Sequence, residues 1–130
     1  MLSSSSDEFR AFWTERHLCT LTTIRRDGTP HVVPVGVTLD VGTATARVIT
    51  SGASHKVRHV LAAGEAGAPV AVCQVDGRRW STLEGRAVVR REPGAVRDAE
   101  ERYAARYRAP RPNPGRVVIE IAVTRVLGTV

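Results

Sequence analysis

The chain has a single lysine, Lys56, and no apolar run approaching the ~20 residues a membrane-spanning helix needs. Lys and Arg together number 19, so arginine carries almost all of the positive charge and the place of the one lysine becomes informative. The lack of a long apolar run argues against a helical membrane protein. Met1-Leu2-Ser3-Ser4-Ser5-Ser6 has neither a basic n-region nor an apolar h-region, so no signal peptide is expected. Cys19 and Cys73 lie in apolar strand-like runs with no Cys-x-x-Cys spacing, which predicts two reduced thiols in a cytoplasmic protein. The Gly-x-x-x-x-Gly-Lys loop of nucleotide triphosphatases is missing. So is the Gly-x-Ser-x-Gly elbow, and no Ser-His-Asp triad can be assembled. No side-chain nucleophile is therefore expected. His55 and His59 share a helical face but have no third partner at ligand spacing, so no metal is expected.

What is present describes an ordinary globular chain. Its 130 residues suit one domain over 1–130, with 1–6 expected to be flexible. The 42% hydrophobic and 25% charged shares are usual for such a domain. A net charge of +6 and a pI near 10.6 favour anionic partners.

Hydrophobic spacing places the elements. Ser5-Ser6-Asp7-Glu8 reads as a capping box opening a helix over Asp7 to Arg16. Strands are predicted over Leu18 to Arg25, His31 to Leu39 and Ala44 to Thr50, with tight turns at Asp27-Gly28 and Asp40 to Thr43. Ser54 to Ala63 switches to helical period. Pro69 to Val75 and Arg79 to Arg90 form two further strands around Asp76-Gly77, with Gly85 as a bulge or bend. Pro93 to Arg108 reads as a helix and Arg116 to Leu127 as the last strand, joined by the stiff Ala109 to Gly115 connector. Six antiparallel strands and about three helices predict a mainly β, closed or nearly closed barrel.

Three segments can carry chemistry. The first runs from Arg47 through Ile49, Thr50, Ser51 and Ser54 to Lys56. It leaves a strand and enters a helix, where free amides, hydroxyls and cations can converge on a phosphate. Equally, Ser54 caps a helix and Lys56 is solvated. The second is Pro34, Val35, Gly36 and Val37, where the glycine either admits a planar ring or relieves crowding at a bend. The third holds Gln74, Val75, Arg78, Arg79 and Trp80. Here Trp80 stacks on a ligand or fills a core or interface. Arg102, Arg106, Arg108 and Arg111 alternate with Asp98, Glu100 and Glu101, a solvated charged face rather than a nucleic-acid surface.

Together, ERHLCTLTT, HVVPVGVTLD, ARVIT with SHK, CQVDGRRW, LEGRA and VRDAEERYAARYRAPRPNPGRVVIEI occur in the order of a known family. From Phe9 to Gly128 the chain resembles the pyridoxamine 5′-phosphate oxidase-like split-barrel superfamily. Within it, the chain resembles the B group of flavin/deazaflavin oxidoreductases, which includes the coenzyme F420-dependent biliverdin reductases. The resemblance implies a split-barrel homodimer in the cytoplasm with cofactor sites at the interface and no nucleic-acid or membrane partner. It implies that Arg47, Thr50, Ser54 and Lys56 hold the cofactor phosphate and that Pro34 to Val37 back its ring. Gln74, Val75 and Trp80 would approach the cofactor from the other subunit, and Arg78 or Arg79 would pair with substrate carboxylates. The implied activity is hydride transfer from reduced coenzyme F420 to a small conjugated acceptor such as a biliverdin-like tetrapyrrole. An FMN-dependent oxidase or reductase and a non-catalytic flavin or deazaflavin carrier are the alternatives. The chain departs from the family pattern at His55, Val37 and the Gly64 to Ala68 loop.

Overall fold

The computed structural model describes residue 2 and residues 5–130. The flexible lead expected over 1–6 lies partly outside these; within them Leu2 is buried and Ser6 begins the first helix. The elements run α1 (Asp7–Thr14), β1 (Cys19–Ile24), β2 (Pro30–Val35), β3 (Thr38–Asp40), β4 (Thr45–Ser51), α2 (His55–Ala62), β5 (Ala68–Asp76), β6 (Arg79–Arg90), α3 (Pro93–Arg106) and β7 (Arg116–Gly128). The α1 cap falls one residue later than the capping box places it. The Ser6 side chain accepts from the Phe9 amide, while the Ser5 hydroxyl donates to the Leu2 carbonyl.

All seven strands form one antiparallel sheet in the order β2-β1-β5-β6-β7-β4-β3. The two edge strands, β2 and β3, are consecutive in the chain. Only Gly36 and Val37 separate them, so the edges cannot part by more than about 11 Å of extended chain. The sheet must therefore curl almost through a full circle. The result is a split barrel, with the split at Gly36-Val37.

This also explains why seven strands form where the sequence predicts six. The alternating pattern from His31 to Leu39 reads as one strand, but tertiary contacts break it. The Val37 amide donates to the Tyr107 hydroxyl at 3.1 Å, and the Val37 carbonyl accepts from Arg106. With both backbone groups committed to α3 and its C-cap, Val37 has none left for a ladder.

Inside the barrel, Leu21, Val72, Leu83, Ile119 and Ile121 are fully buried. Helix α1 adds Phe9, Phe12 and Trp13 from one face, and the Trp13 ring N–H donates to the buried Ser81 hydroxyl at 3.0 Å. Helix α2 sets Val57 and Val60 against β1, β5 and β6, each burial stabilising by about 1.5–3 kcal/mol. Helix α3 lies over β3, β4 and β7. No helix among the described residues is long and apolar enough to cross a membrane.

The bulge predicted at Gly85 is present. Register with β7 shifts between Glu84 and Gly85, passing over Thr124. A Cβ at Gly85 would overlap the Ala122 carbonyl. Gly85→Ala is therefore expected to cost about 2–3 kcal/mol and to lower Tm by several degrees. Gly94→Ala, in α3 with open space around it, should be neutral or stabilising by up to about 1 kcal/mol. Thermal melts of the two variants beside the parent chain check both expectations.

Candidate functional site

The β4–α2 junction and the split seam meet in a cavity of about 480 Å3. Val48 points into the core, so its neighbour Ile49 faces the other way, and Ile49 lines the cavity with Thr50 and Ser51 from the end of β4. Ser54 holds the N-cap position of α2, but its side chain makes no capping bond. Its hydroxyl instead accepts from Thr50 at 3.4 Å. The first-turn amides of α2 thus have no side-chain acceptor and remain open to a ligand.

Lys56 lines the same cavity. It is half-buried, and burial pushes its pKa below the ordinary lysine value. Among the described residues no carboxylate pairs with it. A partly dehydrated ammonium without a counter-charge is a strong attractor for an anion.

The seam supplies the opposite wall through Pro34, Val35 and Gly36, and α3 adds Tyr103. The ring close to Gly36 belongs to the protein itself, since a Cβ there would lie 2.7 Å from Tyr103 Cε2 and 3.1 Å from Tyr107 Cε2. Crowding by the two tyrosines, whose rings pack at 4.9 Å, accounts for the glycine.

Sequence reasoning missed the third wall. Arg108, Arg111, Asn113 and Arg116 come from the proline-rich connector and the start of β7. Arg116 is committed, donating to Glu100 and to the Arg111 carbonyl, both at 2.6 Å. Asn113 donates to the Ser51 hydroxyl at 3.1 Å and so ties the connector to the β4 end. Arg108 and Arg111 pair with no carboxylate among the described residues. The one available signal was the density of arginine and proline in RYRAPRPNPGR.

Several predicted site residues lie elsewhere. Arg47 turns toward α3, 3.8 Å from Asp98, with its Nη1 buried and without a hydrogen-bond partner. Val37 is fully buried. Gln74 is locked in the interior: its amide donates to the Phe12 carbonyl at 2.8 Å and its oxygen accepts from Arg106 at 2.7 Å. Val75 and Trp80 are exposed at the β5–β6 hairpin end, away from the cavity. Arg79 is engaged with Asp76 at 2.6 Å and Glu15 at 3.1 Å, and stacks 4.7 Å over the Phe12 ring. Arg78 is exposed beside it.

Arg106 is the largest departure from the predicted charged face. It is 9% exposed and donates to the carbonyls of Val37, Phe12 and Glu15 as well as to Gln74. The Trp13 and Tyr107 rings flank its guanidinium at 5.4 and 5.2 Å. Tyr107 completes the network by donating to the His17 carbonyl at 2.6 Å, and burial together with Cys19 pushes its phenol up to about 12. Burial likewise raises the Cys19 thiol, so this cysteine stays protonated and inert.

A split barrel with a cationic cavity at its seam defines the class. The chain belongs to the pyridoxamine 5′-phosphate oxidase family, whose model matches residues 5–129. It is 56% identical over 124 residues to the F420H(2)-dependent biliverdin reductase of Mycobacterium tuberculosis, covering 95% of this chain and 88% of that protein. Among solved structures, a conserved hypothetical protein of Mycobacterium tuberculosis superposes with a TM-score of 0.78 at 24% identity, covering 95% of this chain and 83% of that one. A structure described as an F420 reductase superposes with a TM-score of 0.71 at 20% identity, covering 95% and 98%. At these identities the two structures show the fold alone.

Removing the Arg106 guanidinium would strand several buried acceptors at once. Arg106→Leu is expected to cost about 3–5 kcal/mol, the range seen when a buried charged partner is deleted. Urea unfolding at neutral pH measures this; a loss below about 1 kcal/mol would show that water satisfies the acceptors.

Proposed function

We propose that the protein, as one domain over 1–130, is a coenzyme F420-dependent reductase that passes hydride to a conjugated acceptor, with a biliverdin-like tetrapyrrole as the acceptor. The observation that carries this reading is the cavity around Lys56. Its donors suit a phosphate: the Lys56 ammonium and the hydroxyls of Thr50 and Ser51 line it, and beside them stand the Ser54 hydroxyl and the uncapped start of α2. The curated relative at 56% identity, named for the same cofactor and acceptor, supports it.

When bound, the cofactor supplies the hydride. The rest falls to the chain. Lys56 and the hydroxyls fix the phosphate end. Pro34, Val35 and Gly36, held by Tyr103 and Tyr107, present a wall on which a planar ring can lie. Arg108 and Arg111 offer two uncommitted guanidinium groups to carboxylates of the ligand, a better-placed pair than the predicted Arg78 and Arg79. Arg47 and Gln74 act indirectly in this reading, by holding the α3 side and the Phe12 end of the seam. The reading also places the chain in the cytoplasm, in keeping with two free thiols.

Fluorescence titration with coenzyme F420 and with FMN tests the site. Coenzyme F420 should bind tighter, and Lys56→Ala should weaken it by about 1.5–3 kcal/mol, some tenfold to 150-fold in Kd. Tighter FMN binding would favour the FMN-dependent reading, for which the family is the ground. Unchanged affinity in the variant would move the phosphate elsewhere. Mixing reduced cofactor, biliverdin and protein separates an enzyme from a carrier, because a carrier leaves the cofactor unoxidised.

The same proposal includes a homodimer with the cavity at its interface. Leu18, Val32, Val75 and Trp80 are exposed at 71, 57, 65 and 38%, and these apolar side chains are what a partner subunit would cover. Sedimentation should give twice the 14.1 kDa chain mass, and Val75→Asp with Trp80→Asp should shift it toward the monomer. A monomeric parent chain would remove the dimer from the proposal.

A further inference from the structure

Asn113 stands at the rim of the Lys56 cavity, in the connector between α3 and β7, and both ends of its side-chain amide are committed. The oxygen accepts from the Gly115 amide at 3.0 Å, closing a turn of the connector on itself. The nitrogen donates to the Ser51 hydroxyl at 3.1 Å, across to the end of β4. These two bonds fix which way round the amide sits. Turned over, it would set its NH2 against the Gly115 N–H, donor against donor.

Ser51 therefore has to accept. An amide NH2 offers no lone pair, so the Ser51 proton has no place in this bond. The Ser51 side chain makes no other hydrogen bond among the described residues. Its O–H is left for whatever fills the cavity that it lines. The next hydroxyl pair has the same sense. Thr50 donates to Ser54 at 3.4 Å, and the Ser54 proton has no acceptor among the described residues. Two hydroxyls at the β4–α2 junction thus have a lone pair occupied and a proton free. A ligand group that only accepts, such as an ionised phosphate, matches that arrangement.

Asn113 shares the work of holding the connector with backbone bonds. The Gly52 amide donates to the Gly115 carbonyl at 2.9 Å and the Arg116 amide to the Asn113 carbonyl at 3.1 Å, while Ser51 pairs with Arg116 in the β4–β7 ladder. These bonds bring the connector's end against β4 whichever side chain occupies position 113. What the Asn113 side chain adds is the donor sense at Ser51.

We infer that Asn113 is a positioning residue for the ligand phosphate: acting through Ser51, it keeps that hydroxyl a donor and makes the site selective for a group that only accepts. The inference rests on the reading of the Lys56 cavity as a phosphate site. Aspartate at this position would reverse the sense without removing the tether. One carboxylate oxygen still accepts from Gly115, so the turn survives. The other becomes an acceptor for Ser51, whose proton then turns away from the cavity.

The probes are FMN and riboflavin, which differ only in the phosphate, titrated by fluorescence against the full chain at pH 8.0 and constant ionic strength. The ratio of their affinities measures what the phosphate contributes. Lys56→Ala should collapse that ratio. Asn113→Asp should lower it by about tenfold, the scale of one hydrogen bond to a charged group, and leave riboflavin within about twofold of the parent chain. The new carboxylate also repels the phosphate directly, so the pair is tested as a cycle with Ser51→Ala. Ser51→Ala should itself lower the ratio. Adding Asn113→Asp to it should lower the ratio by less than about threefold more, since no hydroxyl remains to be turned. Ser51 is exposed and Asn113 half-buried, so folding is retained and circular dichroism checks it. A fall in the ratio below about fivefold, an equal loss for riboflavin, or a further loss of about threefold or more in the Ser51→Ala chain would each overturn the inference while Lys56→Ala still collapses the ratio. A parent chain with no preference for FMN, or a preference that survives Lys56→Ala, would instead remove the phosphate site and the inference with it.

Discussion

The fold turns on the hydrogen bonds that Arg106 and Tyr107 make to the backbone at Val37. A continuous strand from Pro30 to Asp40 would have made one edge of a flat sheet. Taking Val37's amide and carbonyl out of the ladder converts that strand into two, which then occupy opposite edges. Closure of the barrel follows from that one break. The tie also joins distant parts of the chain: the guanidinium reaches the ends of α1, the seam and β5 at once. Among the described residues no buried acid neutralises this arginine. Carbonyl dipoles and two ring faces surround it, with bonds to a charged donor that are individually stronger than neutral ones.

The same helix that closes the seam builds one wall of the cavity. Tyr103 and Tyr107 hold the Gly36 backbone in place, so the rigidity of the ring-facing wall is inherited from core packing rather than from a ligand. The phosphate-facing wall is different in kind. Thr50, Ser51, Ser54 and Lys56 have few commitments to the rest of the protein, and their unsatisfied donors are what a ligand would meet. Positioning and binding thus fall on separate residues. Surface pairs such as Arg90–Glu120 and Arg125–Glu84 are exposed and carry little of either task.

Much of this was legible in the sequence, and the division is physical. Local signals worked: Asp27-Gly28 and Asp76-Gly77 mark hairpins, Gly85 marks the bulge, and the period switch at Ser54 marks α2 within a residue or two. Pro34 to Gly36, Ile49 to Ser51 and Lys56 do line one cavity. The misreadings at the site involve residues whose partner is far away in the chain. Arg106 has the local pattern of a solvated helix face, yet its acceptors lie 32 to 94 positions away. Gln74 has the look of a ligand-facing amide, but Phe12 and Arg106 claim it. Arg79 is held by Glu15, 64 positions earlier. Periodicity records which way a side chain points along its own element; it carries no record of what another element brings to meet it.

The connector from Tyr107 to Gly115 shows how such a segment contributes to a site without local structure. Its prolines remove donors and fix φ, so it cannot join β4 or β7 as an extra strand. Held by Asn113 to Ser51 and by Arg116 to the Arg111 carbonyl, it instead runs along the cavity rim with its arginines free. A strand there would have placed successive side chains on alternate faces and a helix would have spread them around its axis, in either case with only some of them toward the cavity. An irregular segment pinned at both ends can turn Arg108 and Arg111 the same way. The stiffness that argued against regular structure is thus what lets this stretch serve as a wall, and the cost of ordering it is lowered because proline has little backbone freedom to lose.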